Sequence, residues 1–187
     1  MANNSFQNIK VEGLKELSDA LQKLPEAIAK NALRGSVNAA AAVIRDEAKR
    51  LAPVMPEAMP SHQPPGTLKR SIIVKQIPEK SSVIQQTFYV TVRQGKKYQA
   101  QGKKGNKSQD AYYAKWVEFG HFFVPPKAAG ISWKKHRQQN QAKFVPAHPF
   151  LRPAFESKKE EAVQALKAYL EKRIPDEATK LNRGPIK

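Results

Sequence analysis

The chain has no cysteine among its 187 residues. Disulfides, thiolate metal ligands and a cysteine nucleophile are therefore excluded. A chain without thiols is compatible with a reducing cytoplasm. Without disulfides, the chain does not need an oxidising compartment to fold.

Long hydrophobic runs are also missing. No stretch approaches the roughly 18 consecutive apolar residues that cross a bilayer, so we expect no membrane contact. The first residues, Met1 to Ser5, lack a basic region followed by an apolar stretch, so we expect no signal peptide. Hydrophobic residues make up 40% of the chain, and the length suits one ordinary domain with its own core.

Acidic residues are scarce in the middle of the chain. Between Lys80 and Phe155 the only acids are Asp110 and Glu118, against fourteen Lys and Arg, in a chain whose net charge is +17. A localised positive field favours a polyanion such as nucleic acid, or an acidic face on a partner protein. The alternative is a basic surface that only aids solubility.

Hydrophobic periodicity predicts two N-terminal helices. The leucines of the first recur every three or four residues from Leu14 to Leu24, and Pro25 suits the start of the second. An apolar stripe from Leu33 to Leu51 predicts the second helix, which we expect to end at Ala52-Pro53. Five prolines then mark residues 53–65 as an extended connector, either a passive linker or an arm on a neighbour.

Two alternating segments, residues 72–77 and 87–92, predict an antiparallel hairpin with a short connection near 79–82. A C-terminal helix is predicted from Pro153 to Ile174-Pro175. The resulting fold class is α+β, with long N-terminal helices and a C-terminal helix packed on a small, mainly antiparallel sheet. We expect a single domain over residues 1–175, with a C-terminal tail at 176–187.

Two basic loop inserts, near 93–110 and 121–145, interrupt this pattern, and the first is expected to be flexible. Their cations suit contact with DNA phosphates or with an acidic protein partner, and Tyr98 or Trp133 could stack on bases. No sequence-reading motif is present, so such binding would be independent of base sequence. The candidate contacts are Lys96, Lys97, Lys103, Lys104, Lys107, Lys134, Lys135 and Arg137.

No pattern indicates catalysis or a cofactor. The glycine and lysine run at 102–108 lacks the spacing of a phosphate-binding loop. Glu118 and His121 stand three apart, but acids for a carboxylate-bridged metal site are too scarce. For Glu118 we expect a structural role, such as pairing with Lys or Arg. We therefore predict no catalytic residues, no metal site and no cofactor.

Two segments concentrate aromatic and proline residues in short stretches, residues 112–120 and 146–155. Large apolar side chains without a nucleophile suit docking rather than bond breaking. An interface role and a role in the monomer core are equally open. The candidate interface or core anchors are Tyr113, Trp116, Phe119, Phe150 and Phe155.

Three segments in order carry a family resemblance: Gly66 to Ile72, Tyr113 to Gly120, and Pro146 to Phe155. With the helix that ends in Ala-Pro before them, they resemble the gene-product-ten-like family of tailed phages, whose members are neck, head–tail joining or tail-completion proteins. The resemblance extends in outline over residues 10–172. The chain departs from the family pattern at His121, where a small hydroxyl residue is common, and in the length of its basic inserts.

The resemblance implies a non-enzymatic structural protein at the head–tail junction of a virion, assembled in the host cytoplasm. It implies a homo-oligomeric ring around the DNA channel, with a hexamer as the first expectation, and other phage neck and tail proteins as partners. From the charge pattern, the alternative is a free nucleic-acid-binding protein that acts through its basic loops without sequence preference.

Overall fold

The structure is a computed structural model, and it describes residues 13–54, 64–95, 98, 110–123, 130–132, 134–135 and 142–182. The α+β class is confirmed, with helices dominating two short antiparallel strand pairs. In this part of the chain the small sheet is two separate two-stranded sheets rather than one. None of the described helices is long and apolar enough to span a bilayer.

The two N-terminal helices form where the apolar pattern predicts them. Helix α1 spans Leu14–Gln22 and helix α2 spans Glu26–Leu51. Pro25 lies between them and needs no amide donor at the start of a helix. Helix α2 ends before Pro53 because the residue that precedes a proline avoids helical backbone angles.

The predicted hairpin is confirmed as strands β1 (Ile72–Gln76) and β2 (Phe88–Val92), after a short helix α3 (Thr67–Ser71). Backbone bonds close both ends of the pair: Ile77 N–H donates to Thr87 O, and Arg93 N–H donates to Ser71 O, each at 2.9 Å. The connection is longer than expected, since residues 77–87 lie outside the strands. It includes a single 3₁₀ turn at Pro78–Lys80.

The chain divides into two compact units. The first comprises residues 1–47, 73–91 and 154–187, and the second comprises residues 48–72 and 92–153. That residues 1–175 form a single domain stays a prediction.

The core of the first unit joins α1 and α2 to the long C-terminal helix α5 (Leu151–Asn182). Ala32, Leu170 and Ile174 are buried together, and the leucines of α1 pack against them. Alanine and glycine on α2 allow a close approach. A methyl group added at Gly35 would lie 2.3 Å from Tyr169 Oη, well inside van der Waals contact.

The prediction that Ile174-Pro175 ends the last helix is wrong, because α5 continues through Pro175 to Asn182. A proline inside a helix removes one hydrogen bond and crowds the preceding turn. Here Ile174 is buried in the first core, and Arg173 pairs with Glu177 at 2.7 Å across the proline. Packing and this ion pair favour the helical path, so the described part of the predicted tail is helix.

The second unit contains helix α4 (Ala114–Phe119) and a second hairpin, strands β3 (His121–Phe123) and β4 (Lys143–Val145). The strands pair antiparallel with Phe122 opposite Phe144. The prediction of a loop over 121–145 is therefore wrong at both ends of that insert. These strands have only three residues each, too few for alternation to reveal them.

Among the described residues of the second unit, the buried side chains are small or polar apart from three large apolar ones, Leu68, Ile72 and Phe150. The buried hydroxyls are satisfied locally: Thr67 Oγ1 donates to Pro64 O at 2.6 Å, and Ser71 Oγ donates to Thr67 O at 2.7 Å. These bonds fix the turn into α3, which starts after Gly66 at a positive φ of 76°.

We expect Gly35→Ala to destabilise the protein, because the new methyl group meets the ring of Tyr169. The overpacking should cost about 1–3 kcal/mol, against up to about 1 kcal/mol gained from better helix propensity. In a Tyr169→Ala background the clash is gone, and the same change should stabilise α2. Urea unfolding of the four proteins of this double-mutant cycle measures both effects. An effect of the same sign in both backgrounds would contradict the close approach.

Candidate interaction surface

Glu118 links helix α4 to the start of helix α5. Its Oε2 accepts the backbone N–H groups of Phe150 at 2.8 Å and Leu151 at 3.0 Å, and its Oε1 accepts that of Arg152 at 3.0 Å. The first amides of a helix have no partner within the helix, and the N-terminus carries a partial positive charge. A buried carboxylate therefore satisfies three of these donors at once.

This arrangement corrects the partner expected for Glu118, which is a helix terminus rather than Lys or Arg. The structural role itself holds. The cap also joins the two aromatic and proline segments, because Glu118 lies in the first and residues 146–149 of the second lead the chain into α5. His148 N–H donates to Val117 O at 2.8 Å, so this lead-in is bonded to α4 just before Glu118.

Asp110 is the other described acid of the second unit, and it too is buried. Its Oδ1 accepts the N–H of Gly95 at 2.8 Å, which ties together the two ends of the basic insert 93–110. Nearby, Ala111 N–H donates to Arg93 O at 3.0 Å. Both ends of the insert are therefore ordered by the buried carboxylate and the neighbouring backbone.

Because both carboxylates are buried and bonded to amides, the described surface of the second unit exposes no acid. Its exposed charges are all cationic: Arg50, Lys69, Lys115, Lys134, Lys135, Lys143 and Arg152. The local field on this described surface is therefore positive. Such a surface attracts anions and repels another copy of itself.

Aromatic side chains on α4 and the turn before it form a chain of ring contacts. Trp116 meets Tyr112 edge-on at 5.9 Å between centroids and stacks on His121 at 5.5 Å. Trp116 is 49% exposed and Tyr112 is similarly exposed. These rings pack against each other and are half exposed to solvent, which suits a docking surface.

The β3–β4 hairpin carries a second aromatic cluster. Phe122 and Phe144 stand opposite each other across the strands, 5.2 Å between ring centroids, and are 68% and 54% exposed. Neighbours along a strand point to opposite faces, so this pair lies on the other face from His121 and Phe123. Exposed phenylalanines in pairs are uncommon on a protein that works alone.

Gly120 allows the turn from α4 into this hairpin. Its φ of 74° is in the left-handed region that favours glycine, and its ψ of 169° is extended. A methyl group here would lie 2.9 Å from Val145 O and 3.0 Å from Phe144 Cζ. Glycine thus lets β4 and its phenylalanine approach the turn.

The five predicted aromatic anchors divide between core and surface. Phe150 is fully buried and Tyr113 is half-buried, whereas Trp116, Phe119 and Phe155 are exposed. Tyr113 lines a cavity of about 210 Å³ with Leu68 and Val117, and both ends of the proline-rich connector line it too. Burial raises the pKa of the Tyr113 hydroxyl, and its bond with the Leu68 backbone acts in the opposite direction.

Of the predicted cationic contacts, only Lys134 and Lys135 lie in the described part, and both are exposed. Their role in binding stays a prediction. The others, Lys96, Lys97, Lys103, Lys104, Lys107 and Arg137, lie outside the described residues.

Sequence reasoning missed Phe122, Phe123 and Phe144 because they lie within a segment taken as loop. The only available signal was the Phe-Phe pair directly after Gly120. Among the described residues, no group of three or more His, Asp or Glu side chains is placed to hold a metal ion.

One comparison with known proteins gives a match. The model of the HK97-gp10-like family, described as "Bacteriophage HK97-gp10, putative tail-component", matches residues 15–120, which is 106 of the 187 residues. The match runs from α1 through α4 to Gly120. No curated protein and no solved structure matches the chain.

We expect Glu118→Gln to weaken the start of α5, because an amide group replaces one acceptor oxygen and the charge is lost. Hydrogen bonds to a charged group are worth about 1.5–3 kcal/mol each, so the free energy of unfolding should fall by roughly 2–4 kcal/mol. Hydrogen exchange at residues 150–152 should accelerate. Glu160→Gln, an exposed site on α5 with the same charge change, is the control. Equal small effects at both sites would rule out the cap.

Proposed function

Because the chain belongs to the HK97-gp10-like family of bacteriophage tail components, we propose that it is a structural protein of the virion neck. In this role it completes the tail or joins it to the head. The family supports a structural part in a phage tail and other tail proteins as partners. We further propose that it lies at the head–tail junction. There it forms a ring around the DNA channel, with a hexamer as the first expectation.

The observation that carries the proposal is the surface of the second unit. Its two described acids are buried and occupied by backbone amides, and aromatic side chains stand exposed on α4 and the β3–β4 hairpin. The buried acids stabilise the fold, and the exposed aromatic side chains present apolar area to a partner. Both features support assembly rather than catalysis. The family and this surface together support a non-enzymatic role.

The cationic surface supports a place near DNA. In a ring around a channel, the exposed Lys and Arg of the second unit would face the phosphates or the acidic faces of neighbouring subunits. Contacts with phosphates alone are independent of base sequence. This suits a protein through which any part of a genome must pass.

We expect the protein in intact particles. Mass spectrometry of virions purified from the phage or prophage that carries the gene should detect it in a fixed copy number, and electron microscopy should show particles without attached tails when the gene is deleted. Trp116→Ser should lower its copy number in particles without lowering the stability of the free protein, since the ring is half exposed. Its absence from normal, infectious particles would overturn the proposal.

The same cationic surface favours a second candidate, a free nucleic-acid-binding protein without sequence preference. On duplex DNA the logarithm of the association constant falls with the logarithm of salt by about 0.9 for each phosphate contact. If Lys134, Lys135 and Lys143 contact phosphates, changing all three to Gln should lower affinity for any duplex and flatten that slope.

Changing Lys158 and Lys159 to Gln gives the control, since both lie on α5 and pair with Glu161 and Glu156. Tight, salt-dependent binding by the monomer, with the protein absent from virions, would favour the second candidate over the first. No binding near physiological salt would eliminate it.

A further inference from the structure

Helix α4 and the turn before it expose four residues on one side: Tyr112, Lys115, Trp116 and Phe119. Residues three, four and seven apart share one side of a helix, and the ring contact between Tyr112 and Trp116 agrees with this placement. The buried Glu118 lies on the other side, where it caps α5. We call the four exposed residues the α4 face.

Three of the four side chains on the α4 face are aromatic and are open to solvent. Tyr112 and Trp116 are each about half exposed, and Phe119 is 66% exposed. Aromatic side chains that become buried contribute strongly to interfaces between proteins. The α4 face therefore suits a partner that brings apolar side chains of its own.

The polar groups of the α4 face are hydrogen-bond donors. They are the Tyr112 hydroxyl, the Lys115 ammonium group and the indole N–H of Trp116, and the last two can only donate. None of the three bonds to another described residue. A carboxylate accepts hydrogen bonds from all three kinds of donor, so acidic side chains on the partner would satisfy them.

Charge around the α4 face also selects an acidic partner. Residues 92–153 contain thirteen Lys and Arg against two acids, Asp110 and Glu118. Both acids are buried and bonded to backbone amides, so neither offsets a cation at the surface. A positive field of this kind attracts an acidic surface and repels a second copy of the same face.

Nucleic acid is the other acidic partner that a cationic and aromatic face could bind. Bases bind aromatic side chains by stacking on an open ring face. One face of the Trp116 indole is already covered, because His121 stacks on it with 27° between the ring planes, and Tyr112 meets the same indole at 90°. Phosphates, in turn, offer no apolar area to Phe119. These contacts favour an acidic protein over a nucleic acid.

We infer that the α4 face docks an acidic and apolar segment of another tail protein. Carboxylates of that segment accept hydrogen bonds from Lys115 and from the indole N–H of Trp116, and its apolar side chains cover Phe119. This inference rests on the proposed structural function, and it names the residues that join the protein to a neighbour in the tail.

Full-length protein and three labelled polyanions test the chemistry of the face: poly-Glu, a random copolymer of Glu and Tyr, and oligo-dT. Fluorescence anisotropy at physiological salt should show the copolymer binding about tenfold more tightly than poly-Glu, because only the copolymer brings apolar area to the exposed rings. Phe119→Ser should remove that preference. Tyr89→Ser, at an exposed aromatic site in the first unit, should keep it.

The oligo-dT measurement separates a protein partner from a nucleic acid. Trp116→Ser should weaken binding of the copolymer and leave the affinity for oligo-dT unchanged. A larger loss for oligo-dT than for the copolymer would mean that the face stacks on bases. That result would overturn the inference, and so would equal affinity of the wild-type protein for poly-Glu and the copolymer.

Assembled particles identify the partner. A photo-reactive phenylalanine analogue in place of Phe119 should cross-link to a segment of another tail protein in which Asp and Glu outnumber Lys and Arg, as mass spectrometry of the linked peptides would show. The same analogue in place of Tyr89 should not cross-link to that segment. A cross-link from position 119 to DNA, to a basic segment or to a second copy of this chain would overturn the inference.

Charge reversal tests the role of Lys115. Lys115→Glu should lower the copy number of the protein in particles, and changing an acid of the cross-linked segment to Lys should restore it. Lys172→Glu, the same change at an exposed site on α5, is the control. An unchanged copy number for Lys115→Glu would overturn the inference. The structural function would still stand if the wild-type protein is found in particles, so the two failures are distinguishable.

Discussion

The contact between the Glu118 carboxylate and the first amides of α5 organises the second unit. Three backbone donors that a helix cannot satisfy by itself converge on one buried side chain of α4. A helix N-terminus in a poorly solvated place requires such a partner, because each unpaired amide would cost free energy. The position of α4, the lead-in at 146–149 and the buried ring of Phe150 all depend on that contact.

The same contact shapes the surface electrostatically. Glu118 and Asp110 are the only acids among the described residues of the second unit, and both serve the backbone inside it. The charges exposed on the described part of this unit are therefore all positive. Both acids bond to backbone amides instead of neutralising the neighbouring lysines, so the same side chains stabilise the fold and leave its described surface positive.

The first unit relies on a different means, the close approach of helices with small residues at the crossing. Ala32 and Gly35 on α2 leave space for Leu170 and Tyr169 of α5, and the leucines of α1 cover the remaining side. This packing also carries α5 past Pro175, where local propensity alone would end it. A groove of about 460 Å³ beside α1 is apolar because leucines of this core also line it.

The sequence by itself determined the elements whose signal is local and repeated. Leucine spacing located α1, a mixed apolar stripe located α2, alternation located β1 and β2, and the ordered motifs indicated a phage structural family. Tertiary structure alone decided the partner of Glu118, which lies 32 residues away along the chain at Phe150, and the pairing of β3 with β4 across the second basic insert. It also decided the extension of α5 beyond Pro175 and the division of the aromatic anchors between core and surface. Periodicity reports which face of an element is apolar, but contacts between distant segments depend on how the whole chain packs.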